Sequence, residues 1–79
     1  MKYVYILRSL NNAGKSYIGI TGDLRKRLRQ HNSRLSIYTK QFAPWKLESY
    51  VAFSNAEKAM DFERYLKKSG GWRFAKRRL

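Results

Sequence analysis

The fold is decided between residues 3 and 21, where the chain reads YVYILRSLNNAGKSYIGIT. Residues 3–8 and 16–21 are rich in β-branched and aromatic side chains, which favour β-strands. The segment between them contains Asn11, Asn12 and Gly14, residue types that are typical of turns. We therefore predict a β-hairpin with a long loop.

A helix and a third strand are predicted to follow this hairpin. Residues 23–31 are predicted to form a helix. Leu24, Leu28 and His31 lie on one face of it, at i, i+4 and i+7, and Leu35 continues this spacing at i+11. Either Thr21 or Asp23 can cap this helix. Residues 34–46 contain the only proline and are predicted to be a loop, and residues 47–53 a strand.

A second helix is predicted over about residues 55–68. Ser54 and Glu57 match the S-x-x-E capping box, and the glycines at 70–71 end the helix. Its apolar stripe is predicted to consist of Ala56, Ala59, Met60 and Leu66.

A short basic helix over residues 72–79 is predicted to end the chain. The element order β-β-α-β-α, followed by this short helix, indicates an α+β fold with a three-stranded antiparallel sheet flanked by helices. We expect residues 1–79 to form a single domain.

The charge of the chain points to a polyanionic partner. Its 79 residues carry 18 Lys and Arg against 5 Asp and Glu, a net charge of +13. Such an excess favours nucleic acid over simple solvation of the surface. Between residues 72 and 78, the basic residues Arg73, Lys76 and Arg77 occur together with two aromatic residues, which suits contact with a phosphate backbone and stacking on bases. No segment has the wide apolar face of a membrane-binding helix, so we expect no membrane partner.

Other classes are excluded by what the composition lacks. The chain has no cysteine and one histidine, which removes disulfides, thiolate zinc sites, a cysteine nucleophile and multi-histidine metal cages. The longest apolar run near the start, residues 3–7, is shorter than a signal segment or a membrane span. We expect a cytoplasmic protein whose chemistry depends on carboxylates, hydroxyls, amides and cations.

Glu63 lies at an unusual position for an acidic residue. Helical spacing places it on or beside the apolar stripe of the second helix, where a carboxylate is costly unless it is paired. One interpretation is an ion pair with one of the many basic side chains. The other is a ligand for Mg²⁺ or Mn²⁺, which often take only one or two protein carboxylates and fill the shell with water and phosphate.

Further candidates lie on the first helix and the hairpin. Arg27 and His31 are neighbours one helical turn apart. Arg27 is either a solvated cation or a clamp on a phosphate, and His31 is either a packed core histidine or a functional partner of Arg27. Tyr5 and Tyr17 lie on strands, where tyrosines usually belong to the core or its rim. Gly19 weakens its strand unless another backbone or a ligand approaches closely.

Read in order, these residues resemble the GIY-YIG nuclease domain family. The resemblance rests on Tyr3-Val4-Tyr5 and Tyr17-Ile18-Gly19, followed by Arg27, His31 and Glu63, and extends over nearly the whole chain. It is greatest with the small stand-alone bacterial members. The family has an α+β sandwich with a central three-stranded antiparallel sheet, and it includes repair, homing and junction endonucleases. The resemblance therefore implies an endonuclease that hydrolyses phosphodiester bonds, in DNA rather than RNA, in repair or recombination.

The resemblance also implies roles for individual residues. Tyr5 and Tyr17 would lie near the scissile phosphate, with Gly19 allowing close approach. Arg27 would hold the phosphate and His31 would orient a tyrosine hydroxyl or the attacking water. Glu63 would be the only protein ligand of one divalent ion, Mg²⁺ or Mn²⁺, and Lys40 would be a second phosphate contact.

The sequence also departs from the family pattern. The first motif reads Tyr-Val-Tyr instead of Gly-Ile-Tyr, and no asparagine follows Glu63. No appended DNA-binding module is evident in these residues, so we expect either weak selectivity or a protein partner that supplies specificity. Two alternatives stay open: a non-catalytic basic module that binds nucleic acid on the same fold, and a basic accessory to the ribosome or another RNA.

Overall fold

The central strand of the sheet is the one that the sequence places first. In a computed structural model that describes residues 1–12, 14–33, 39–68 and 77–78, three strands form one antiparallel sheet in the order β2-β1-β3. The elements are β1 (Lys2–Ser9), β2 (Ser16–Thr21), α1 (Leu24–Asn32), a turn of 3₁₀-helix (Thr39–Phe42), β3 (Trp45–Phe53) and α2 (Ala56–Lys67).

The predicted α+β architecture and the order β-β-α-β-α are confirmed. Arg77 and Arg78 have helical backbone, but the rest of the predicted terminal helix lies outside the described residues, as does Leu35 of the first helical face. Within the described ranges, neither helix has the length and apolar character that crossing a membrane requires.

β1 is buried on both faces because helices pack on each side of it. Val4 and Ile6 join a cluster with Ala59 and Leu66 of α2. Tyr5 and Leu7 point to the other face, where they form a second buried cluster with Ala43 and Trp45. Five partly buried side chains pack against this cluster: Tyr17, Leu24, Leu28, Phe42 and Leu47. The run of apolar residues in β1 is therefore a central strand between two small cores.

β3 changes the face that it buries halfway along its length. Its register with β1 shifts between Ile6 and Leu7. As a result Trp45 and Leu47 pack on the α1 side, whereas Phe53 packs on the α2 side. A bulge of one extra residue has this effect because successive side chains of a strand point to opposite faces.

β3 also begins earlier than residue 47, where the sequence predicted it. The side chain of Asn32 at the end of α1 accepts a hydrogen bond from Trp45 N at 2.5 Å and donates one to Trp45 O at 3.0 Å. These bonds satisfy the backbone of the first strand residue, so the strand starts at Trp45.

The helix caps confirm one prediction and correct another. Asp23 caps α1 by accepting a hydrogen bond from Lys26 N at 3.0 Å. For α2 the predicted cap Ser54 is wrong: Asn55 is the N-cap and accepts from Lys58 N at 3.0 Å. Asparagine caps helices as well as serine does, so the helix starts one residue later.

The apolar stripe of α2 also differs from the prediction. Ala59 and Leu66 are buried as expected, but Ala56 and Met60 are exposed and Phe62 packs against the core instead. Met60 is about 100° around the helix from Ala59, which turns it to solvent. Glu63 remains beside the stripe because it lies between Ala59 and Leu66 on the same side.

Gly19 is required by the side chain of Tyr5. The two residues are opposite each other in the β1–β2 ladder, and the phenol of Tyr5 crosses directly over Gly19. A Cβ at Gly19 would lie 2.6 Å from Tyr5 Cζ, closer still to the Tyr5 hydroxyl, and 3.0 Å from the ring of Tyr17. The sequence predicted that another backbone or a ligand approaches this glycine closely; the atoms that do so here belong to tyrosine side chains of the protein itself.

Gly19→Ala is expected to destabilise the fold by about 1–3 kcal/mol, because a buried ring must move to admit the methyl group. Gly22→Ala is the matched control, since an added Cβ there meets only the end of the Lys2 side chain at 4.0 Å. The control should be neutral or slightly stabilising. Urea unfolding of both variants tests this, and equal stabilities would contradict the placement of the Tyr5 phenol.

Candidate active site

A buried hydrogen-bonded chain runs from the sheet to α1 and on to the 3₁₀ turn. Tyr5 Oη lies 3.0 Å from His31 Nε2, and His31 Nδ1 lies 2.8 Å from Thr39 Oγ1. His31 and Thr39 have no exposed surface and Tyr5 is 2% exposed. The predicted packing of His31 on the Leu24 and Leu28 face thus serves to hold a tyrosine hydroxyl.

Thr39 is a residue that the sequence reading missed. It lies at the start of the 3₁₀ turn, and its carbonyl accepts a hydrogen bond from Trp45 Nε1 at 2.9 Å. The one signal available was indirect: a histidine predicted to be buried needs a partner for each ring nitrogen. Nothing in the sequence identified Thr39 as that partner.

The imidazole of His31 is neutral at physiological pH. Burial, reinforced by the positive charge of Arg27, lowers the pKa of His31 from 6.5 to about 4. A neutral ring keeps one nitrogen as a hydrogen-bond acceptor, which an imidazolium would lack. His31 can therefore orient a hydroxyl group.

Arg27 brings the positive charge of the site next to both tyrosines. It precedes His31 by one turn of α1, and its Nη1 donates to Gln30 Oε1 at 2.9 Å. Its hydrogen bond with the Tyr5 hydroxyl is the main cause that raises the pKa of Arg27, and Tyr17 adds to this effect. The guanidinium is half-buried, so part of it faces solvent, where a phosphate can reach it.

The two tyrosines lie side by side with His31. The ring centroids of Tyr5 and Tyr17 are 6.3 Å apart, and those of Tyr17 and His31 are 5.0 Å apart. The pKa of Tyr5 is raised, because the effect of burial is larger than the opposite effect of Arg27. In the protein alone, Tyr5 therefore stays protonated.

Glu63 approaches this cluster from the other helix. Its carboxylate adds to the rise in the pKa of Tyr5, and its side chain is 18% exposed. Lys67, one turn further along α2, lies 3.3 Å from the carboxylate. The ion pair considered from the sequence is thus present, and such a partly exposed pair is weak enough to be displaced.

The donor set near Glu63 fits a hard cation held by one carboxylate. In the parts of the chain that are described, no three acidic or histidine residues cluster as a metal-binding group. Mg²⁺ nevertheless binds proteins through one or two carboxylates when phosphate and water complete its shell. Among the described residues, Glu63 is the carboxylate predicted from the sequence that could hold such an ion.

The other residues predicted to contact nucleic acid differ in how far the structure describes them. Lys40 is exposed on the 3₁₀ turn, next to Thr39, and Arg77 is exposed. Arg73 and Lys76 lie outside the described residues. A role in binding nucleic acid stays a prediction for these four residues and for Gly19.

Comparison with known proteins gives a family model and several relatives. The family model described as the GIY-YIG catalytic domain matches residues 1–73. A UPF0213 protein of Clostridium perfringens is 38% identical over 69 residues, which cover 86% of this chain and 72% of that protein. A UPF0213 protein of Streptococcus pneumoniae is 40% identical over 67 residues, covering 84% of this chain and 66% of that protein.

The chain is also similar to a much longer protein. The structure-specific endonuclease subunit SLX1 of Malassezia globosa is 40% identical over 63 residues, which cover 75% of this chain. The chain spans only 14% of the length of that relative.

The lowered pKa of His31 predicts that the fold loses stability in acid. In the unfolded chain His31 has a pKa of 6.5 and binds a proton below that pH, whereas in the folded protein its pKa is about 4. The stabilisation is therefore complete above pH 6.5 and is lost as the pH falls towards 4. Between pH 7 and pH 4.5 we expect the free energy of unfolding to fall by about 2–3 kcal/mol.

Urea unfolding at several pH values and an NMR titration of the single histidine measure this effect. His31→Gln is the control and should lack most of the dependence above pH 5, where carboxyl groups are still ionised. A histidine that titrates near 6.5 in the folded protein would contradict the prediction.

Proposed function

The chain belongs to the GIY-YIG catalytic domain family, and from this premise we propose that it is an endonuclease that hydrolyses phosphodiester bonds in DNA with one divalent ion, Mg²⁺ or Mn²⁺. The observation that carries the proposal is that the Tyr5 ring lies beside that of Tyr17 and that the charges of both Arg27 and Glu63 act on the Tyr5 hydroxyl. These groups come from four different elements. A structural role alone does not call for a half-buried cation, two hydroxyls and a carboxylate in one place.

Arg27 is proposed to bind the scissile phosphate. Its guanidinium is a fixed fork of donors that matches phosphate oxygens, and its interaction with the tyrosines raises its pKa, which places its charge near them. Negative charge that develops on the phosphate during hydrolysis would be stabilised by this cation.

Tyr5 is proposed to accept the proton of the attacking water. Because burial keeps its hydroxyl protonated, it can accept a proton only if it passes its own to a neighbour. His31 Nε2, at 3.0 Å, is that neighbour. The water would lose a proton to Tyr5 Oη, the Tyr5 proton would move to His31, and the new P–O bond would displace the leaving oxygen.

Glu63 is proposed to hold the divalent ion. When bound, such an ion stabilises negative charge on the leaving oxygen and on the phosphate. Lys67, freed from its ion pair, would then be available to a neighbouring phosphate. A role in DNA repair or recombination, and a partner that supplies specificity, are proposed from the similarity to a structure-specific endonuclease subunit.

A non-catalytic module that binds nucleic acid is the second candidate. One observation favours it: Glu63, the carboxylate proposed to bind the metal, is already paired with Lys67. Such a protein would bind DNA tightly and with strong salt dependence, without cutting it.

Glu63→Gln is expected to reduce cleavage by more than about 100-fold while leaving DNA binding intact, because it removes the metal ligand but not the basic surface. The assay compares supercoiled, flapped, branched and single-stranded DNA with Mg²⁺ or Mn²⁺. Glu57→Gln, on the exposed first turn of α2, changes the charge equally and should cut normally.

Two results decide between the candidates. Cleavage that survives in the Glu63→Gln protein would exclude Glu63 as the metal ligand. Salt-sensitive binding with no cleavage by any of the three proteins, on any substrate of the panel, would favour the binding module.

A further inference from the structure

Tyr3 and Tyr50 form an aromatic pair at the surface of the sheet, on the face that α1 covers in part. Tyr3 precedes Tyr5 by two residues, and Tyr50 lies opposite Tyr5 in the β1–β3 ladder, so the three side chains share this face. The ring centroids of Tyr3 and Tyr50 are 5.9 Å apart, with 69° between the ring planes. Tyr50 is 51% exposed, and neither ring is part of the core clusters found among the described residues.

The pair is left uncovered because the ring of Tyr5 turns away from it. The phenol of Tyr5 crosses over Gly19 of β2, and β2 and β3 lie on opposite sides of β1. In an edge-on pair, one ring directs its edge at the face of the other, so the faces of the first ring stay free of its partner. A flat ligand can stack on such a face.

A cavity of about 400 Å³, which we call the tyrosine cavity, lies beside this pair. Its lining includes Tyr3 and Tyr50, Leu47 of β3, and residues 22–25 at the start of α1. Aromatic and aliphatic walls with a few polar groups are typical of sites that bind a small, flat, largely apolar group. A nucleobase has this shape and character.

The charges around the tyrosine cavity favour a base inside it and phosphates at its rim. Arg25 lines the cavity and is exposed, and the Lys2 ammonium lies near Gly22, 4.0 Å from where a Cβ on that glycine would be. Asp23 lines it as well, and its carboxylate caps α1 by accepting from Lys26 N. A carboxylate there repels a phosphate inside the cavity but not an uncharged base, whereas the two cations attract the strand that carries the base.

The tyrosine cavity and the candidate active site lie on opposite sides of α1. Arg25 is about 100° around the helix from Leu24 in one direction, and Arg27 is about 60° from it in the other. Arg27 acts on the tyrosines of the candidate active site, Tyr17 of β2 among them, whereas Arg25 lines the cavity on the β3 side. A helix about 10 Å wide separates the two places. A base in the cavity therefore belongs to a nucleotide outside the scissile linkage.

We propose that the tyrosine cavity binds an unpaired base of a nucleic-acid strand, which stacks on the pair of Tyr3 and Tyr50 while Arg25 and Lys2 contact the neighbouring phosphates. This inference rests on the proposed function for the binding of nucleic acid, and it names the substrate class: strands with unpaired bases, such as flaps and single-stranded DNA. A base inside an intact duplex is stacked on its neighbours and has to be extruded before it can enter a pocket.

The test compares Tyr50→Ala, which removes the exposed ring, with Tyr50→Phe, which keeps it. Binding of a short fluorescent oligo(dT) and of a duplex of equal length is measured in EDTA. Tyr50→Ala is expected to weaken binding of oligo(dT) by about tenfold, and Tyr50→Phe to stay within about twofold of the wild type, because a ring face is enough for stacking. Binding of the duplex should stay within about twofold in both variants.

Tyr65→Ala is the matched control. Tyr65 is exposed to a similar extent, 45%, but it lies on α2, away from the tyrosine cavity. Its replacement removes the same side chain from the surface and should leave the preference for oligo(dT) over the duplex unchanged. Urea unfolding of the variants shows whether each one is folded.

The dependence of binding on salt separates stacking from charge. Arg25→Gln should lower the slope of log affinity against log salt concentration by about one, because one phosphate contact is lost. Tyr50→Ala should weaken binding without altering this slope, since a stacked base releases no counterions. A merely structural role for Tyr50 would not produce this difference.

Three results would overturn the proposal. The first is unchanged binding of oligo(dT) by Tyr50→Ala, and the second is an equal loss of affinity for oligo(dT) and duplex. The third is a wild type that sediments as a dimer and a Tyr50→Ala protein that sediments as a monomer, which would assign the aromatic surface to a second copy of the chain.

The nuclease assignment is tested separately by cleavage. A protein that prefers oligo(dT) through Tyr50 but cuts no DNA would refute the nuclease assignment, whereas the tyrosine cavity would stand as a base-binding site. A protein that cuts DNA and binds oligo(dT) equally well with and without the Tyr50 ring would keep the nuclease assignment and exclude the base-binding site.

Discussion

The hydrogen bond between Tyr5 and His31 joins the centre of the sheet to the last turn of α1, and much of the structure is arranged around it. The phenol reaches the imidazole only by crossing β2 at Gly19, where a side chain would block it. The second ring nitrogen needs a partner, which the 3₁₀ turn supplies as Thr39. A buried polar pair of this kind is stable only when every member is satisfied, so each neighbour is constrained in turn.

The same bond also sets the electrostatics of the site. His31 is neutral because it is buried beside Arg27, and Tyr5 is protonated because burial outweighs the effect of Arg27. The site therefore contains one permanent cation, two hydroxyls and one carboxylate. This balance suits an anionic substrate, since a partly exposed cation can bind a phosphate and a single carboxylate could hold a metal whose other ligands would come from the substrate.

Local patterns in the sequence predicted most of the fold. Three local features predicted the right elements: the strand composition of residues 3–21, the spacing of Leu24 and Leu28, and the glycines after α2. Each of these features is visible in a short stretch of neighbouring residues. The bulge in β3 and the early start at Trp45 depend on partners far along the chain, Leu7 and Asn32, which no local pattern reveals. The sequence predicted Ser54 as the cap where the structure has Asn55, because both residue types cap helices equally well.

The candidate site could be predicted only where chemistry makes a residue type conspicuous. A carboxylate on an apolar stripe, a glycine inside a strand and an arginine one turn before a histidine are each unexpected as structure, which is why Glu63, Gly19, Arg27 and His31 could be singled out. Nothing in the sequence distinguishes Thr39 from other threonines. It matters because in the folded protein its hydroxyl is the hydrogen-bond partner of Nδ1 of the buried His31 ring. In so small a domain, polar groups of this kind occupy space that a larger protein would fill with apolar side chains. The bonds that orient the site are for that reason also bonds that hold the fold together, and a change that loosens one loosens the other.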